Sequence, residues 1–143
     1  MPVRTPAIGE RGKMTLCEYF ENARGFGVLA TTDAAAQVDQ AIYAKPIFLD
    51  KDDDGTCSFI MSNRLTHDNV EHNPSASYLF IEDGGGFLGK RLSLVIVGEE
   101  ADSEKIKAIR DRTEMNLPLS GEECKYLVHF HIEGVRPLYG NEC

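Results

Sequence analysis

Ser62-Asn63-Arg64-Leu65-Thr66-His67-Asp68-Asn69-Val70-Glu71-His72-Asn73-Pro74 places hydroxyl, amide and basic groups together between two apolar runs. The run before it, 57–61, reads as a buried strand, Thr66 suits a helix N-cap, and Pro74 stops the turn of helix that follows. A strand that delivers such a loop onto a helix start suits a phosphate. The first N–H groups of a helix are unpaired and carry the positive end of its dipole. The same residues also describe a capped helix joining two strands, with Arg64 and His67 solvated. Asp68 opposes an anion there, since a carboxylate in the first turn competes for the same dipole.

Other chemistry-bearing strings are weaker. Asp50-x-Asp52-x-Asp54-Gly55 copies the opening of a calcium loop, yet its twelfth position is Met61 instead of a bidentate glutamate, and strands flank it. It is expected to be an acidic hairpin turn, with Gly55 supplying a positive φ. Gly84-Gly85-Gly86-Phe87-Leu88-Gly89-Lys90-Arg91 contains a G-x-G-x-x-G string and most of a P-loop. Arg91 stands where a magnesium-binding Ser or Thr belongs, and a strand follows instead of a helix, so a hairpin is expected. His129 and His131 share one face of a predicted strand, with no third metal ligand identifiable. No nucleophile elbow, carboxylate pair or Cys/His arrangement is visible, so any reactive atoms belong to a cofactor.

The elements that must position these groups follow from local signals. Thr15-x-x-Glu18 is a capping box opening a helix to about residue 23, closed by Gly25 and Gly27. Strands are expected over 26–32, 38–49 (carrying Pro46, hence an edge or bulge), 57–61, 76–82, 90–100 and 126–133, with a further short one over 135–139. Asp102 or Ser103 caps a helix to about residue 112, with Ile106 and Ile109 on one face. Six or seven strands, close enough for antiparallel pairing, with three short helices point to a closed or nearly closed barrel.

At 143 residues with 42% hydrophobic and 27% charged residues, the chain fits a single domain over 1–143. A net charge of -8 and a pI near 4.9 leave no basic footprint for nucleic acid or an anionic membrane. No run is long enough to span a bilayer and no signal peptide is visible, so a cytoplasmic protein is expected. Cys17, Cys57, Cys124 and Cys143 form no Cys-x-x-Cys pair and are expected to be free thiols.

From Gly25 to about Glu100, with an echo over 128–139, the chain resembles the pyridoxamine 5'-phosphate oxidase-like FMN-binding split-barrel family. The carriers are Gly27-Val28-Leu29-Ala30-Thr31-Thr32-Asp33, Ala41-Ile42-Tyr43-Ala44-Lys45-Pro46, Arg64 to Pro74, and Lys90-Arg91-Leu92-Ser93-Leu94. The resemblance implies a mainly β split barrel of antiparallel strands and a homodimer with FMN in clefts at the interface. Ile42, Tyr43, Ala44 and Lys45 would run along the isoalloxazine ring. Ser62, Arg64, Leu65, Thr66, His67 and Asn69 would hold the phosphate, with Lys45 adding charge and Lys90, Arg91 and Ser93 nearby. His129 or His131 would reach the partner's flavin edge. An FMN-dependent oxidoreductase with a small-molecule redox partner, and a substrate other than pyridoxamine phosphate, is the implied function; the alternative is a non-catalytic flavin, haem or deazaflavin carrier or sensor.

Overall fold

The computed structural model describes residues 14–62, 65–113 and 126–139. Its elements, in chain order, are α1 (Leu16–Asn22), β1 (Gly25–Thr32), β2 (Val38–Tyr43), β3 (Thr56–Met61), α2 (Leu65–His72), β4 (Ser75–Glu82), β5 (Gly89–Glu100), α3 (Ser103–Thr113) and β6 (Tyr126–Pro137). The six strands form one antiparallel sheet in the order β2-β1-β4-β5-β6-β3. Its two edges approach each other through an isolated bridge, Ile47 to Ser58, with an N–H···O bond of 2.8 Å in each direction. The expected antiparallel split barrel with short helices is what the chain forms.

Alternation along the strands decides what faces inward. In β1 the odd positions Gly27, Leu29 and Thr31 are buried while Phe26, Val28 and Ala30 look outward. The interior is aromatic at its centre: Phe59 lies 5.1 Å from Tyr78, 5.9 Å from Phe130 and 6.0 Å from Tyr43, ring centre to ring centre. α1 plugs one end, its Phe20 sitting 5.3 Å from Phe80. On the opposite side of β3 and β6, Ile106 and Ile109 of α3 cover Ile47, Ile60 and Leu127 in a second, smaller cluster.

α1 begins where its capping box says, Thr15 and Glu18 exchanging both bonds. The structure adds a remote cap: the Asp54 carboxylate accepts from Leu16 N–H at 2.7 Å and Cys17 N–H at 3.2 Å. Asp50 and Asp53 accept from Asp52 and Gly55 N–H in local turns. The calcium-like segment is therefore occupied in tying loop to helix. Asp54→Ala is expected to cost about 1 kcal/mol, the usual value of a helix cap, seen as a lower urea midpoint with unchanged slope. An unchanged midpoint would mean water replaces the cap without loss.

Several expectations need correction. β2 ends at Tyr43, because residues 44–46 turn off the ladder around Pro46, which has no N–H to give. The acidic segment is not a β-hairpin turn, since β2 pairs with β1 and β3 with β6. Gly55 is not among the described residues with positive φ, whereas Gly84 and Gly85 are, in the β4–β5 turn. The short strand expected after 133 is the tail of β6. Irregularities at Ser93/Leu94 and Ile96/Gly98 bend β5 and change which side its last residues face. Cys17 and Cys57 are buried free thiols, and burial pushes the Cys57 thiol up to about 12; Cys124 and Cys143 lie outside the described residues. No helix among the described residues is long and apolar enough to cross a membrane.

Candidate functional site

β3 leads into α2 as anticipated, but the helix begins at Leu65, so Thr66 is its second residue and not its N-cap. The helix thus starts two residues earlier than a cap at Thr66 would set it, and Thr66 lies on its buried side. Thr66, His67, Asn69 and Val70 form the buried side of α2, while Leu65, Asp68 and Glu71 face out. Asn69 donates its side-chain amide to Thr31 Oγ1 at 3.0 Å and so pins α2 to β1. His67 lies flat against Tyr126, ring centres 3.7 Å apart at 8°, and its Nε2 is 2.8 Å from Glu99 Oε1. Ser62, where β3 ends, is half-buried. Arg64 lies outside the described residues.

The lysines expected beside this loop stand elsewhere. Lys45 Nζ donates to Ala23 O at 2.9 Å, at the end of α1. Loss of solvent, then the Arg24 charge, pulls its pKa below the ordinary lysine value. Lys90 sits over the Tyr19 ring at 4.4 Å, and Tyr19 donates to the Glu82 carboxylate; burial first, then that bond, pushes the Tyr19 pKa up. Along β5, Lys90 is opposite Pro137, whereas Glu100 is opposite Leu127, next to the Tyr126 that pairs with Met61 at the end of β3, which leads into α2. About ten residues of strand, roughly 30 Å, separate the lysine end from the start of α2. The structure thus does not bring Lys45 or Lys90 to the start of α2.

Another subset shares the outer face of the sheet. Register places Ile42, Val28, Leu79, Arg91 and Arg136 in one row across the outer face, with Gln40, Ala30, Ser77, Ser93 and Gly134 in the next. Ile42 is 61% exposed, and Arg91 Nε donates to Pro137 O at 2.8 Å. Tyr43 turns inward toward Phe59; the carbonyls of Tyr43 and Ala44 accept from Tyr78 Oη at 3.4 and 3.1 Å. His131 is exposed, opposite Val95 and Thr56. His129 is engaged instead, its Nδ1 2.7 Å from Ser58 Oγ and its Nε2 2.7 Å from Glu100 Oε2. Lys105 holds the same Glu100 carboxylate at 2.9 Å. The Lys105 bond first, then the His129 bond, keeps the Glu100 carboxyl below the usual carboxylate range.

At the head of α2 the donors on hand are Ser62 Oγ and the first-turn N–H groups, which have no partner within the helix. These fit an anion. The Asp68 and Glu71 carboxylates on the same helix, with Glu99 beside His67, oppose one. The partners of His67 were not found in the sequence, because Glu99 is 32 residues away and reaches α2 only through the bent end of β5.

No family model matches the chain, and no curated protein matches it either. Solved structures do. An FMN-binding protein of Syntrophomonas wolfei superposes with a TM-score of 0.69 at 15% identity, over 88% of this chain and 85% of that one. An F420 reductase gives 0.60 at 15% identity, over 85% and 97%. A candidate pyridoxamine 5'-phosphate oxidase of Listeria innocua gives 0.60 at 15% identity, over 85% and 94%. At such identities the likeness is one of fold: the chain has the split-barrel fold found in pyridoxamine 5'-phosphate oxidase-like and FMN-binding proteins.

Proposed function

We propose that this protein is a split-barrel flavoprotein that binds FMN and acts as an oxidoreductase on a small-molecule partner. The observation that carries the reading is the superposition over most of both chains with an FMN-binding protein. In this reading two copies meet across the outer face, where Ile42, Arg91, Ser93 and His131 are presented together. The ring would lie against that face beside the 42–45 segment. Ser62, the first N–H groups of α2 and Arg64 would take the phosphate, and exposed Leu65 would offer apolar surface next to it. A bound flavin supplies the electron transfer; the chain's residues bind it, orient it and limit water around it. A cytoplasmic location accords with this reading.

The test is an absorbance spectrum of the freshly purified protein, followed by titration with FMN and with riboflavin, which lacks the phosphate. Flavin absorbance and FMN affinity at least about tenfold above riboflavin, equivalent to about 1.4 kcal/mol, are expected. Equal affinities would remove the phosphate assignment, and no spectral change at saturating flavin would remove the cofactor. Bleaching of the bound flavin by a reduced nicotinamide distinguishes a reductase from a passive holder.

A further inference from the structure

We infer that Glu100, at the tip of β5, and His129 of β6 form a side-chain latch that ties the edge strand β3 to α3. Ser58 of β3 is attached twice: its backbone exchanges two bonds with Ile47, and its Oγ lies 2.7 Å from His129 Nδ1. His129 Nε2 in turn stands 2.7 Å from Glu100 Oε2, and Lys105 of α3 donates to both oxygens of that carboxylate at 2.9 and 3.1 Å. Side chains from β3, β6, β5 and α3 thus make one unbroken chain.

Pairing along the strands accounts for its first link only, since Ser58 is directly opposite His129. The residue opposite His129 on β5 is Gly98, which has no side chain to offer, so Glu100 reaches the imidazole diagonally from two residues on. The other half of the Ile47 to Ser58 bridge is held by the same helix: Ile106 and Ile109 pack on Ile47. α3 therefore grips both bridge residues, Ile47 by apolar contact and Ser58 through Lys105, Glu100 and His129. The Ser58 hydroxyl is buried, and losing the imidazole would leave it unpaired. A closed latch holds β3 at its edge, and β3 is the strand that leads into α2.

Cys57, the neighbour of Ser58, reports whether this edge parts, because its thiol is only 1% exposed and reaches a reagent only through opening. The full chain, without flavin, is treated with N-ethylmaleimide under native conditions, and the labelling rate of each cysteine is read by peptide mass mapping. Glu100→Ala is expected to label about fivefold faster at Cys57, the effect of one hydrogen bond. His129→Phe, which also strands the Ser58 hydroxyl, should label about tenfold faster. Lys107→Met breaks an exposed pair with Asp111 on the same helix and should change nothing. Because Glu100 is partly exposed, its replacement leaves the packing intact and decides the matter. An unchanged Cys57 rate in Glu100→Ala would overturn the latch. So would an equal rise at Cys17, buried under α1, which reports general loosening; neither result bears on the flavin titrations.

Discussion

Phe59→Ala is expected to remove about 3–5 kcal/mol of stability, a large share of the roughly 5–15 kcal/mol that holds a typical domain together. Phe59 is nearly inaccessible and stands where Tyr43, Tyr78 and Phe130 converge, so three other rings border the space its removal leaves. Aromatic contacts in tilted and edge-on geometry add to the area term. Rings anchored on different strands cannot all shift inward to fill the gap. Urea denaturation followed by circular dichroism measures the loss. A cost below about 1 kcal/mol would mean that the interior collapses around the smaller side chain and is far less rigid than its packing indicates.

Adding a single methyl group at Gly27 should be nearly as damaging. A Cβ built there would lie 1.9 Å from Tyr78 Oη and 2.2 Å from Cζ. Tyr78 is fully buried, and its hydroxyl, donating to Ala44 O, steadies the segment that leaves β2. The ring cannot move without giving up both its packing and that bond, so Gly27→Ala is expected to cost about 3 kcal/mol, the upper end for overpacking. Gly98→Ala is the internal control: nothing lies within 4 Å of its built Cβ, and its stability should change by less than about 0.5 kcal/mol. Equal effects at the two glycines would show that the Tyr78 contact does not set the cost, since the entropy lost by the unfolded chain on Gly→Ala favours the fold at both.

Local chemistry was legible wherever a signal and its partner are neighbours in sequence. The Thr15/Glu18 capping box, the Asp102 cap of α3 and the Ile106/Ile109 face each depend on residues within a turn of one another, and each is present. Strands were legible from apolar runs, except where Pro46 cut one short and where the tail of β6 looked like a separate strand. What could not be read locally was which end of the barrel a residue occupies. Lys45 and Lys90 are basic and near flavin-like strings, yet antiparallel register carries them to the α1 end. Thr66 has the chemistry of a cap, but the helix starts two residues earlier than that cap would set it and buries it. The Asp54 clasp on α1 and the His67–Glu99 contact span 38 and 32 residues, and no periodicity announces them. The charge pattern on α2 was visible as Asp68; that Glu99 adds to it depends on how β5 bends.

Among the described residues, the two hydrogen bonds between Ile47 and Ser58 are all the ladder that joins the sheet's first edge to its last, whereas every neighbouring strand pair shares a run of six or more residues. Breathing of the native state therefore concentrates at this seam, where the wall can part for the smallest loss of paired backbone. The Ile47 and Ser58 amides should trade their protons with solvent sooner than those of β4 and β5.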